Sequence, residues 1–247
     1  MTMHFISTAN CVICGEECHN PVLASTNAFG TPDLDLRPPP MQRHTMGTWV
    51  QCCRDCGFVA ADIEQNPYSV DQSTIQALLQ RPDYPPMGQP DGTWQLGNFE
   101  RQALLEQWAG SRAAEADAWR HAAWCADDGA LYALESAADP ALYLGMAQRF
   151  RRETIRATLA MLAVPTADFG DEQQFHARVR LVDALRRVGD FNATAALCDE
   201  LFATGGEAVL GPAAVIGHIL TFQRAKAQAH DIACYRISDA MLGLPDA

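Results

Sequence analysis

The sequence predicts a mainly α protein, with a small cysteine-held β ribbon at the N-terminus and an all-α helical-repeat or bundle domain behind it. Three observations carry this. Six of the nine Cys lie in the first 56 residues, four of them in two CxxCG pairs. Beyond Phe99 the chain is Ala-rich, and its apolar residues recur at helical spacing. After Ala61 no stretch carries a strand signal. At 247 residues with 48 % hydrophobic residues, the chain has the composition of a globular protein rather than a disordered one.

The first elements are set by the cysteines. Cys11-Val12-Ile13-Cys14-Gly15 and Cys53-Arg54-Asp55-Cys56-Gly57 have the form of metal-binding knuckles. Two intervening residues let both sulfurs face one ion, and Gly accepts the positive φ with which the turn leaves it. Two knuckles supply four thiolates, the closed tetrahedral set that structural Zn²⁺ takes. Cys11, Cys14, Cys53 and Cys56 are therefore the expected ligands of one zinc ion. The second pair begins 39 positions after Cys14, so the intervening chain must loop out. A rival reading, two thioredoxin-like redox motifs, lacks the βαβ context such motifs need. Cys52 adjoins Cys53, but the spacing and the following Gly favour Cys53. Cys18 and His19 lie just beyond the first knuckle as spectators, outer-sphere donors or a redox partner, and His44 also complicates the ligand choice. Cys125, Cys198 and Cys234 read as small buried apolar residues.

Short strands are expected at Phe5-Ile6, at Thr48 to Cys52 and at Phe58 to Ala60, which gives a ribbon over residues 1–66. Between the knuckles, Asn27 to Pro40 contains prolines that forbid helix and central strand, so an extended loop packed on the ribbon is expected. Its Asp33, Asp35 and Arg37 form a local ion pair or a recognition surface. Residues 67–98 read as a Pro/Gly-rich linker interrupted by one helix, Asp71 to Gln80. Residues 99–247 form the helical domain. Helices are expected over Phe99 to Ala126 with a break near Gly110, Ala130 to Ala137, Pro140 to Ala163 stopped by Pro165, and Glu172 to Val188. Asn192 to Ala203, Pro212 to Ala229 and Ile232 to Leu242 follow. Leu185 to Phe191 with the run after it looks like one tetratricopeptide helix pair, without a second clean copy. Asp128 is expected to cap the helix that starts near Gly129.

Four segments together resemble a family of bacterial proteins. They are Cys11 to Gly15, Thr31 to Pro39, Trp49 to Ala61 and His121-Ala122-Ala123-Trp124-Cys125-Ala126-Asp127-Asp128, about a third of the chain. The family is an uncharacterised one, a domain of unknown function in which an N-terminal CxxCG…CxxCG zinc ribbon precedes tetratricopeptide-like helices. The resemblance implies metal-binding positions at Cys11, Cys14, Cys53 and Cys56 and implies no activity. Val12 and Arg54 stand where such knuckles often carry Pro.

Charge narrows the function. The formal net charge is −12, and residues 1–66 carry three Arg against seven acidic groups. That balance makes a poor phosphate binder. Arg149, Arg152 and Arg156 form one basic stripe, expected to be a solvated face. The sequence contains no HExxH, GxSxG, GxxxxGK[ST] or GxGxxG motif, and an all-Cys site leaves no open position for water. The expected function is a non-catalytic zinc-binding protein-interaction module. The alternatives are a nucleic-acid-associated regulator using the ribbon and the Arg stripe, and an enzyme with an unrecognised site. The candidate partner surface lies between Trp108 and Arg156, with Trp108, Trp119, Trp124, Phe150 and Tyr132 as aromatic anchors and Asp127, Asp128, Arg149, Arg152 and Arg156 as charged rims. Met1 to Asn10 carry no Lys, Arg or long apolar run, and no stretch approaches the roughly 20 apolar residues of a membrane span. A cytoplasmic protein without a membrane segment is expected.

Overall fold

The computed structural model describes residues 2–86, 94–136, 139–164, 171–206, 209 and 215–242. The expected stop at Pro165, the start at Pro212, the helix end at Ala137 and residues 87–93 of the expected linker lie outside them. Among the described residues the chain is mainly α, with two small two-stranded sheets near the N-terminus. No helix among the described residues is long and apolar enough to cross a membrane.

Two compact units form, one from Met1–Phe29 with Pro40–Ala157, the other from Gly30–Pro39 with Thr158–Ala247. In the first unit, β1 (Met3–Asn10) pairs antiparallel with β2 (Glu17–Ser25), from Met3 opposite Ser25 to Asn10 opposite Glu17. The first knuckle is the hairpin turn between them. β2 escaped the sequence reading because Pro21 stands in its middle, a residue that demotes a run to an edge strand. A short turn, α1 (Pro40–Arg43), leads to the second hairpin, β3 (Gln51–Cys52) with β4 (Val59–Ala60), closed by the second knuckle.

The helix expected at Asp71 is α2 (Gln72–Leu79), capped where Asp71 accepts from the Thr74 amide at 2.7 Å. α3 (Trp94–Ala109) ends at the expected break before α4 (Arg112–Glu135). α4 then runs unbroken through Asp127, Asp128 and Gly129, so no helix begins at Gly129 and the expected cap at Asp128 is a position inside α4. Tertiary packing overrides the local stop signal. The ring of Tyr143, on α5 (Ala141–Leu162), lies where a side chain on Gly129 would stand, 2.5 Å from its Cβ position.

One apolar core fills this unit. It joins Ile13, Phe58 and Ile63 of the ribbon to Phe99, Trp119, Trp124 and Phe150 of the helices. The stretch read as a linker is part of it: Tyr68, Ile75, Leu79 and Tyr84 are buried there. Against it the half-buried His121 meets Trp124, Phe99 and Trp49, with ring centroids 4.9, 5.2 and 5.3 Å away. Burial, with the Arg120 guanidinium beside it, pushes the imidazole down to about 4. The unfolded chain therefore binds the extra proton first, and His121 loses stability for the fold as pH falls from about 6.5 to about 4. The loss reaches about 3 kcal/mol at the acid end. Acid titrations of Trp fluorescence are expected to show a shallower slope for His121→Phe than for the wild type. Equal slopes would refute the assignment.

The second unit holds α6 (Asp171–Arg187), α7 (Phe191–Thr204), α8 (Val215–Gln228) and α9 (Ile237–Met241). Val182, Cys198, Leu201 and Leu220 are its apolar centre. α6 and α7 meet at the expected Gly189-Asp190 turn, where Asp190 accepts from the Ala193 amide at 3.1 Å. The last helix covers only part of the expected Ile232 to Leu242. The Gly30–Pro39 loop belongs to this unit and not to the ribbon. The backbones of Asp33 and Arg236 form an isolated antiparallel β-bridge, and the Leu34 amide donates to the Tyr235 carbonyl at 2.9 Å. Arg37 donates to Asp33 at 2.6 Å, Arg187 stands 3.8 Å from Asp35, and all four are buried. The Asp33–Arg37 ion pair is thus present, sealed inside the fold.

Candidate metal centre

The two knuckles have one architecture, dictated by one sequence pattern. The Gly15 amide donates to the Cys11 carbonyl at 2.8 Å, and the Gly57 amide to the Cys53 carbonyl at 2.9 Å. Gly15 and Gly57 sit at φ 82° and 80°, where an L side chain is strained. The amides of Ile13 and Cys14 turn toward the Cys11 sulfur, and those of Asp55 and Cys56 toward the Cys53 sulfur. Departure from Pro at Val12 and Arg54 leaves the turns intact. Instead, the Val12 amide donates to the Ile63 carbonyl at 3.0 Å and fastens the first knuckle to the chain beyond β4.

The four sulfurs converge. Cys11, Cys14, Cys53 and Cys56 place their Sγ atoms all within 4.8 Å of one another. Cys11 lies 3.8 Å from Cys56 and Cys14 lies 3.5 Å from Cys53. A tetrahedral ion with metal–sulfur bonds of about 2.3 Å has sulfur–sulfur edges of about 3.8 Å. The quartet therefore fits such an ion, and it is the group the described residues offer for one.

Electrostatics supports the same conclusion. Burial pushes the Cys11 thiol up to about 11 and raises Cys56 further. Burial also opposes ionisation of Cys53, but the Cys56 and Asp55 amides overcome it and hold that group below the ordinary thiol range. Two or more thiolates this close repel one another. A bound divalent cation removes that penalty and deprotonates the set.

Sequence reasoning missed the residues that fix the knuckles in place. Gln72 and Gln76 of α2 both donate to the Ile13 carbonyl, at 2.7 and 3.0 Å. The Tyr84 hydroxyl donates to the Gly57 carbonyl at 2.7 Å. Tyr68 does the same for Val59 at 2.6 Å. These side chains come from the supposed linker, whose composition gave no sign of packing. Asn20 of β2 accepts from the Cys52 amide at 2.9 Å and ties the two hairpins together.

The neighbouring candidates are not members of the quartet. Cys18 is buried, and its thiol, next to Cys53, donates to the Glu16 carbonyl at 3.6 Å. Cys52 is buried, with its thiol directed at the Cys53 carbonyl at 3.6 Å. His19 is exposed and pairs with Thr8 at 3.0 Å, and His44 is exposed.

The residues expected on a partner surface fall into three groups. Trp119, Trp124 and Asp127 are buried, Asp127 against Arg151, and present nothing to a partner. Trp108 is half-buried beneath the Arg81 guanidinium, and Asp128 is half-buried. Arg149, Arg152 and Arg156 are exposed, but Arg149 is paired with Glu100 at 2.9 Å and Arg156 with Glu115 and Glu153. Glu115 is fully buried between Arg112 and Arg156.

Compared with protein-family models, with curated proteins and with solved structures, the chain matches none.

Proposed function

We propose that the chain is a non-catalytic zinc-binding protein-interaction module, with its helices presenting the partner surface. The observation that carries this reading is the sulfur quartet. Four thiolates fill a tetrahedral ion and leave no place for water or substrate, so the ion braces the fold rather than activating a nucleophile. An all-thiolate set selects zinc over the hard cations. Cys11, Cys14, Cys53 and Cys56 would hold it. The charge of −12 and the carboxylates paired with Arg149 and Arg156 favour a protein partner over nucleic acid. Reduced thiols suit the cytoplasm, which we assign as its place.

The test is native purification of the full chain. Elemental analysis is expected to give one zinc per chain, and X-ray absorption four sulfur neighbours at about 2.3 Å. Mass spectrometry is expected to find a protein in the same peak that rebinds when purified. An oxygen neighbour at the metal, or nucleic acid filling the peak, would overturn the reading.

A further inference from the structure

We infer that the exposed apolar strip formed by Leu131, Tyr132 and Leu134 of α4 with Leu142 and Leu144 of α5 docks a basic amphipathic segment of a protein partner. This rests on the interaction reading above and assigns its surface.

The two helices pack antiparallel within the first unit. Glu115 meets Arg156, the Trp119 ring stacks on Phe150 at 5.6 Å, Asp127 meets Arg151, and Gly129 meets Tyr143. Toward the end of α4 the buried face narrows to Ala130 and Ala133. The side chains around it are large, apolar and in water. Leu131, Tyr132 and Leu134 of α4 are 50, 71 and 61 % exposed, and Leu142 and Leu144 of α5 are 67 and 51 % exposed. Exposed apolar side chains are ordinary when single; a cluster marks a binding surface.

Helix geometry places two of these side by side. Leu134 follows Asp127 by seven residues, and Leu144 precedes Arg151 by seven. Two turns of helix bring a residue back to nearly the same flank. Leu134 and Leu144 therefore stand on the flank where Asp127 and Arg151 bridge the helices. The bridge ends this apolar strip on one side.

Charge selects the occupant. From Ala122 to Gln148 the chain carries no Lys or Arg, and its charged residues are Asp127, Asp128, Glu135 and Asp139. Glu135 and Asp139 are exposed at the hairpin end. A second copy of a chain of charge −12 would set these acids against their equivalents. Nucleic acid is repelled for the same reason. A helix with apolar residues at i, i+3, i+4 and i+7 and Lys or Arg beside them matches both the strip and its rim.

Fluorescence anisotropy on the full chain tests this. The probe is a labelled Leu/Lys helical peptide of that spacing, with a Leu/Glu peptide as control. The Leu/Lys probe is expected to bind the wild type more tightly than the control, and more weakly as salt rises. A Leu134→Ser/Leu144→Ser variant, with unchanged melting, is expected to bind it about tenfold more weakly or worse. Unchanged affinity in that variant, or equal binding of the control, would remove this surface while leaving the interaction reading to stand on another. Absence of binding would overturn the proposal. So would a dimer, seen by light scattering, that the same substitutions abolish, because a second copy would then be the occupant.

Discussion

Replacing Cys53 by Ser, or stripping the metal with a chelator, is expected to unfold the whole first unit and not the ribbon alone. The sulfur of Cys53 belongs to the quartet, while its neighbours Phe58 and Ile63 sit in the same core as Phe99, Trp119 and Phe150. Metal binding of this kind contributes about 10–16 kcal/mol of apparent free energy in small zinc domains, against a total stability of about 5–15 kcal/mol for a typical domain. Trp fluorescence separates the outcomes. All five Trp of the chain, Trp49, Trp94, Trp108, Trp119 and Trp124, lie in the first unit and none in the second. Metal loss should shift the emission of the buried Trp119 and Trp124 to the red, while circular dichroism retains the helical signal of α6 to α8. Unchanged emission after complete metal removal, checked by elemental analysis, would show that the core holds without the ion.

Asp183→Ala is expected to destabilise the second unit and leave the Trp signal untouched. Arg186 is fully buried, and its guanidinium donates to Gln223, to Asp183 at 2.9 Å and to the Asp231 carbonyl at 2.6 Å. Gln223 donates to Asp183 at 2.9 Å and closes the network. Removing Asp183 strands a buried cation, which costs about 3–5 kcal/mol. Arg186→Met in the same chain removes that cation, so the double variant should recover much of the loss. Thermal melts followed by circular dichroism measure both. Additive losses would mean that the two residues act independently.

The parts legible in sequence were those governed by local chemistry. Each knuckle needs only four residues and a Gly, so Cys11, Cys14, Cys53 and Cys56 could be read directly, and the structure brings their sulfurs together. The break after α3 and the turn at Gly189 were equally local. What escaped depended on distant partners. Nothing near Gly129 announces that Tyr143 will pack over it, and nothing near Tyr84 announces the Gly57 carbonyl. Trp119 and Trp124 drew attention as interface anchors because aromatic residues serve surfaces and cores alike. Only the arrangement of α3, α4 and α5 decides that they are core. The exposed Leu134 and Leu144 carry the converse lesson, since an apolar helix position says nothing about whether a neighbour covers it.

The loop at Gly30–Pro39 has a consequence for the order in which the protein can form. It is synthesised between the two knuckles, yet its partners Tyr235 and Arg236 emerge about 200 residues later. At ribosomal speeds of about 5–20 residues per second, Asp33 and Arg37 wait on the order of ten seconds or more for the chain that buries them. The cysteines on either side have no such wait. Cys14 and Cys53 can close around an ion as soon as the second knuckle clears the exit tunnel, holding the loop out as a tethered bight. Metal capture early in synthesis would thus shorten the search that brings the loop to its late partners, and an interrupted chain would carry a finished metal centre beside an unburied pair of opposite charges.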